Sequence, residues 1–150
     1  MILRKNVLDY LERAIVELRG AELGPAPVLR ANAPRELGDA ALYFTVAARD
    51  FRTRRETERT RITTCVGEIG IVGLPGEGAE RLDAIAGALV DLLTPPDGAR
   101  LGRADALERV YPEGTRRLAI YPLDARRAPD EFKDGRYKST VLLTLEIWED

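Results

Sequence analysis

GLPGEGAER, residues 73–81, has the glycine density of a loop that wraps a phosphate. Such loops work through backbone N–H groups, backed in the pattern GxxxxGK[ST] by a lysine and a metal-binding hydroxyl. Neither the lysine nor the hydroxyl is present. The dinucleotide pattern GxGxxG also fails, because Gly76 and Gly78 are followed by Arg81 where a third glycine should stand. Glu77 and Glu80 place carboxylates at the positive end of the helix that follows, where a phosphate would have to sit. The stretch therefore reads as a strand-to-helix turn, its glycines supplying backbone freedom and its acids stabilising the first helical turn.

Nucleophilic and metal chemistry are equally thin. The 150 residues contain no histidine, which removes Ser–His and Cys–His pairs and histidine-bearing metal sites. Cys65 is the single cysteine, so an internal disulfide or a multi-cysteine metal site is excluded. Its place in a strand pattern makes it a small core or interface residue. Glu56 and Glu58 are of the right type for acid–base work, and Asp130, Glu131 and Asp134 for weak cation binding. Both groups sit in polar stretches with nothing to mark a pocket, and a solvated turn is the expected reading of each. No catalytic residue, cofactor or metal is expected, and no enzymatic activity.

Charge is the chemistry that remains. Residues 49–61 carry six arginines against Asp50, Glu56 and Glu58, a local balance of +3 in a chain of net charge −2. Phosphate contacts need cations and base stacking needs aromatics. Phe51 is the lone aromatic here and the acids interrupt the run, so a solvated hairpin fits better than a nucleic-acid site. Further on, Glu77, Glu80, Asp83 and Asp91 outnumber Arg81. Opposed patches of this kind either steer one subunit against another or stand as two solvated faces.

The elements that must carry these groups follow from periodicity. Leu3, Val7, Leu11, Ala14, Ile15 and Leu18 recur at helical spacing, with Gly20 near a plausible stop. GAELGPAPVLRANAPRELGDA has no sustained period and reads as an extended surface connection. Leu42, Phe44, Val46 and Ala48 alternate with Tyr43, Thr45, Ala47 and Arg49 as a strand with one buried face. RTRRETERT after it is either the tip of a long hairpin or a mobile loop. In TRITTCVGEIGIVGL, Ile62, Thr64 and Val66 take one parity and Ile69 and Ile71 the other, which a register change near Gly67 or Gly70 would reconcile.

Leu82, Ile85, Ala86, Leu89 and Leu93 then mark one face of a helix that TPPDG ends. Within residues 99–129 only RRLAIYPL reads as a short strand. KSTVLLTLEIWED closes the chain with Val141, Leu143, Leu145 and Ile147 inward and Thr140, Leu142, Thr144, Glu146 and Trp148 outward. The expected fold is α+β: an antiparallel sheet of about four strands, two helices packed on one face, and a projecting β-hairpin loop. Residues 1–150 are expected to form one domain. No apolar run reaches the roughly 20 residues that span a bilayer, and the N-terminus lacks a signal-peptide core, so a cytoplasmic chain without membrane contact is expected.

IGIVGLPGEGAERLDAIAGALVDLLTP is a strand, a Pro-Gly-x-Gly turn and a helix rich in alanine. It resembles the central segment of the tail terminator proteins of tailed phages, also called tail completion or minor tail proteins. In that family a leading helix, a strand pair with a variable projecting loop, this turn and helix, and a closing strand of the type RYKSTVLLTLEIW occur in the same order. The resemblance runs from Asn6 to Trp148. It implies a structural protein of the virion tail, present in the host cytoplasm during assembly, whose protomers form a homo-oligomeric ring, commonly a hexamer. Its partners would be itself, the tail tube protein whose growth the ring stops, and the head connector or neck protein, with DNA only passing through as cargo. Another head–tail joining protein shares this layout, and a small cytoplasmic binding or regulatory domain is the alternative of a different class.

Candidate interface residues are Arg49, Arg52, Arg54, Arg55 and Arg59 in the arginine-rich run, which would meet a neighbour's acidic helix or the next ring. Leu142 and Trp148 join them as apolar residues on the outward parity of the last strand; they are either a contact site or covered by a second layer of the same protomer.

Overall fold

The computed structural model describes residues 2–22, 28–30, 42–94, 109–113 and 116–149. In chain order the elements are α1 (Ile2–Glu22), β1 (Val28–Arg30), β2 (Tyr43–Glu56), β3 (Arg61–Val72), α2 (Glu80–Leu93), β4 (Arg109–Glu113), β5 (Arg116–Arg127), β6 (Glu131–Lys133) and β7 (Arg136–Glu149). The strands form one sheet in the order β1-β2-β3-β7-β5-β4, with β6 folded back on the start of β7. All neighbours are antiparallel except β1, which runs parallel to β2. The fold is α+β, as expected. The sheet has seven strands among the described residues where the sequence suggested about four, because β1 and β6 are three residues each and β4 five, too short to show a period. Most of the proline-rich connection lies outside the described residues.

Both helices pack on one face. Along α1 the residues Val7, Leu8, Leu11, Ala14 and Ile15 are buried, and along α2 Leu82, Ile85, Ala86, Leu89 and Leu93. They meet the inward parity of the sheet: Phe44 and Val46 of β2, Cys65, Ile69 and Ile71 of β3, Ile120 of β5, and Val141, Leu143, Leu145 and Ile147 of β7. α1 lies over β2 and β3, α2 over β7 and β5. Gly67 lets α1 lie close on the sheet: a Cβ there would stand 3.2 Å from the Leu145 side chain and 3.3 Å from that of Leu11.

Of two expectations about the β2–β3 pair, one is met and one changes. RTRRETERT takes the hairpin reading: its first five residues complete β2, which runs to Glu56, and its last four are the turn before β3 starts at Arg61. In that turn the Thr57 N–H donates to the Thr60 carbonyl (2.8 Å) and the Thr60 N–H to Thr57 Oγ1 (3.0 Å). The register change proposed near Gly67 or Gly70 is absent, since β3 pairs with β7 without interruption from Arg61 to Val72. The irregularities are in β2 instead, between Arg49 and Arg52 and between Thr53 and Arg55. RRLAIYPL proves to be part of a twelve-residue strand, β5. Pro122 is tolerated there because β4 pairs only as far as Ile120 and a bulge follows before Asp124, so its missing N–H breaks no ladder.

Candidate interface on the open sheet face

A regular strand alternates faces, so arginines at positions 49, 52 and 55 would point to different sides. The two irregularities in β2 prevent this. Each inserts one residue, since β2 advances three positions from Arg49 to Arg52 while β3 advances two, and two positions from Thr53 to Arg55 while β3 advances one. The first bulge holds Asp50 in the left-handed region, with φ of 58°. It turns Phe51 inward against the core, beneath the Arg4 guanidinium at 5.7 Å from the ring centre. Arg49, Arg52 and Arg55 all emerge on the other face, opposite α1 and α2.

The ladders then set three rows across that face. Arg49 stands beside Val66, Thr144 and Asp124; Arg52 beside Thr64, Glu146 and Tyr121; Arg55 beside Ile62, Trp148 and Ala119. One row further from the hairpin tip come Ala47, Glu68, Leu142 and Arg126. Five of the seven candidates thus share one surface. Arg54 is the extra residue of the second bulge and Arg59 lies in the tip turn, both exposed.

Their electrostatic states differ. Arg49 is engaged, its Nη1 lying 3.2 Å from Glu68 and its Nε 3.5 Å from Asp50. Arg61, just past the turn, holds Glu56 at 2.9 Å and Glu149 at 3.8 Å, and the Glu56 hydrogen bond raises its pKa above the usual guanidinium value. Arg52, Arg54, Arg55 and Arg59 have no carboxylate partner among the described residues. These four guanidiniums are in water and available.

The apolar part of the face is half-exposed. Ile62, Val66 and Leu142 are partly buried, and Trp148 is 38% exposed. The indole N–H of Trp148 donates to Glu146 Oε1 at 2.7 Å, and Glu146 is itself buried on this nominally open side. No helix or strand lies over these residues among those described. The opposite end of the same face is closed by its own side chains: a Cβ on Gly70 would meet Thr45 and Lys138, and Arg136 lies 5.7 Å over the Tyr43 ring.

The other groups of chemical type are spent on structure. In the 73–78 turn every described amide hydrogen bond points into the protein: Gly73 N–H to Tyr137 (2.9 Å), Leu74 N–H to the Glu77 carboxylate (3.3 Å), Gly76 N–H to Gly135 (3.1 Å) and Glu77 N–H to Leu74 (3.2 Å). The turn is a strap to the Asp134–Gly135 hairpin corner, where both residues take positive φ. Cys65 is buried mid-strand, and burial pushes its thiol up to about 12, far from a reactive thiolate. Asp130 accepts from Arg127 (3.0 Å) and from the Ser139 hydroxyl (2.9 Å), while Arg127 also donates to Asp83 of α2 at 2.7 Å. Glu131 and Asp134 are exposed.

Ile62, Val66, Tyr121 and Glu146 belong to the face and were not singled out from sequence. The signal for two of them existed: Ile62 and Val66 sit on the opposite parity from Ile69 and Ile71, which means apolar residues on both faces, not a slipped register.

No protein-family model and no curated protein matches the chain. Nine chains of solved structures do. One of them, known only by a sequence identifier that states no function, is 18% identical, with 93% of this chain and 94% of that one covered and a TM-score of 0.57. At that identity the likeness shows the fold alone.

Proposed function

We propose that this chain is a structural assembly protein that joins copies of itself into a ring at the head-proximal end of a phage tail tube, stops tube growth there and offers a surface to the head connector. The observation that carries the reading is the open sheet face, where, among the described residues, arginines without carboxylate partners border half-exposed apolar residues on the side of the sheet opposite α1 and α2. Exposed apolar patches with a polar rim are contact sites in soluble proteins. The order of elements, a leading helix, a hairpin with a long polar tip, a glycine turn into a helix and a closing strand, supports the same reading by its resemblance to tail terminators.

A ring needs two different patches per protomer that fit when the rotation closes. The work is then steric and geometric: a closed ring on the tube end leaves no exposed tube subunit for the next one to join, and DNA passes through its centre. No enzymatic step is part of this proposal, and none of the carboxylates near the turns is assigned a catalytic role.

Light scattering coupled to size-exclusion chromatography, over a range of concentration and salt, tests the self-association, and a tube-capping assay tests the rest. Discrete ring-sized particles that halt polymerisation of the tube protein are the expected result. A chain that stays monomeric at high concentration and leaves tube growth unchanged would overturn the reading in favour of a small binding domain.

A further inference from the structure

Among the described residues, α2 has a solvent face that mirrors the open sheet face in charge. Glu80 and Asp91 are exposed and have no cationic partner among the described residues, while Asp83 is held by Arg127. Eleven residues of helix bring Glu80 and Asp91 back to the same side about 16 Å apart. Between them on that side stand Ala84, Gly87 and Ala88, and a Cβ added at Gly87 would meet nothing within 4 Å. The result is a low ridge of backbone with a carboxylate at each end. On the sheet, Arg49 and Arg55 are four β3 residues apart, roughly 13 Å, with Arg52 between them and Val66, Thr64 and Ile62 alongside.

Resting on the self-assembly reading above, we infer that the open sheet face of one copy receives the outer face of α2 of the next, Arg52 and Arg55 meeting Glu80 and Asp91 while Ile62, Val66 and Trp148 cover the small-residue ridge. Arg52 and Arg55 stand two β3 residues apart, roughly 7 Å, so each side chain leans outward by about 5 Å to meet a carboxylate of a pair about 16 Å apart. The sheet gains a second helical layer on the face that none of the described helices covers, and the small residues of α2 let the helix backbone come close. Because the two patches lie on opposite sides of the protomer, the contact is head-to-tail, as a ring requires. Guanidinium–carboxylate pairs at such a contact set orientation and register as well as affinity.

Charge reversal in two places tests this. R52E/R55E alters the sheet face and E80R/D91R the helix face, and all four positions are exposed, so circular dichroism should match the wild type, with only a small fall in melting temperature for E80R/D91R, which places a cation at the N-terminus of α2. Self-association is read by sedimentation at low and moderate salt. Each double variant is expected to weaken it at least about tenfold, and a 1:1 mixture of the two, or the quadruple variant, is expected to recover it. Association of the wild type that weakens in neither variant, or in R52E/R55E alone, would overturn this pairing while leaving self-assembly standing. A wild type that does not associate at any concentration would instead overturn the self-assembly reading beneath it.

Discussion

β7 contributes adjacent residues to two unlike environments. Leu143 points beneath the helices and is buried, while Leu142 points to the open face and is half-exposed; Ile147 and Trp148 repeat the contrast five residues on. The inner face is a closed apolar contact between sheet and helices. The outer carries arginines, a buried glutamate and scattered apolar side chains without a helix above them. The inner residues are thereby committed to holding the protomer together, and the outer ones are left for contacts beyond it. Since the two sets alternate along the same strands, stability and association should be separable one residue at a time.

The sharpest way to break that contrast is a pair of neighbouring truncations. Leu143→Ala should cost about 2–5 kcal/mol of unfolding free energy, since a fully buried leucine leaves both lost transfer energy and a cavity. Leu142→Ala should cost less than about 1 kcal/mol, as expected for a side chain that is still partly in water. Chemical denaturation of both variants measures it; equal losses would mean that the outer face is as much a core as the inner one.

Cys65 probes the inner face by pH. Folding raises its pKa to about 12, so the folded chain keeps a proton that the unfolded chain releases at lower pH. The stability this supplies is complete below about pH 9 and is lost as pH rises towards about 12. Over that window the denaturation midpoint should fall more steeply in the wild type than in Cys65→Ala. Native Cys65 should also resist thiol reagents at neutral pH until the chain unfolds.

At the margin between the faces, Arg127 ties β5 to Asp83 of α2 and to Asp130. Arg127→Met is expected to cost about 1 kcal/mol, since the pairs are partly solvated, with the loss shrinking in salt. The smallest effect concerns Asp50, whose left-handed backbone is unfavourable for a residue with a side chain. Asp50→Gly should raise the midpoint by up to about 1 kcal/mol of stability, read by thermal melting, while leaving the arginines on the outer face.

How much of this was legible in the sequence divides along the same line. Burial against a second layer enforces a period, so the inward set of β7 and the α2 stripe Leu82, Ile85, Ala86, Leu89 and Leu93 could be read directly. β5 was read as RRLAIYPL, but its continuation to Arg127 was hidden by Pro122 and by the bulge at Leu123, which break its alternation. The stretch between Arg49 and Arg61 left hairpin tip and mobile loop undecided because its outer ends bury little and two bulges scramble the parity. Arginine content still pointed to the right surface, although nothing in spacing alone revealed that Arg49, Arg52 and Arg55 would line one face. That alignment depends on a backbone conformation at Asp50 that no apolar pattern records.

Trp148 is the sole tryptophan of the chain, and it stands on the open face with its ring nitrogen bonded to Glu146. Any molecule that settles there must strip water from the indole, and the protein's own emission should then shift to shorter wavelength. Ultraviolet fluorescence can therefore follow occupancy of this face without a dye, in the unmodified chain and in real time.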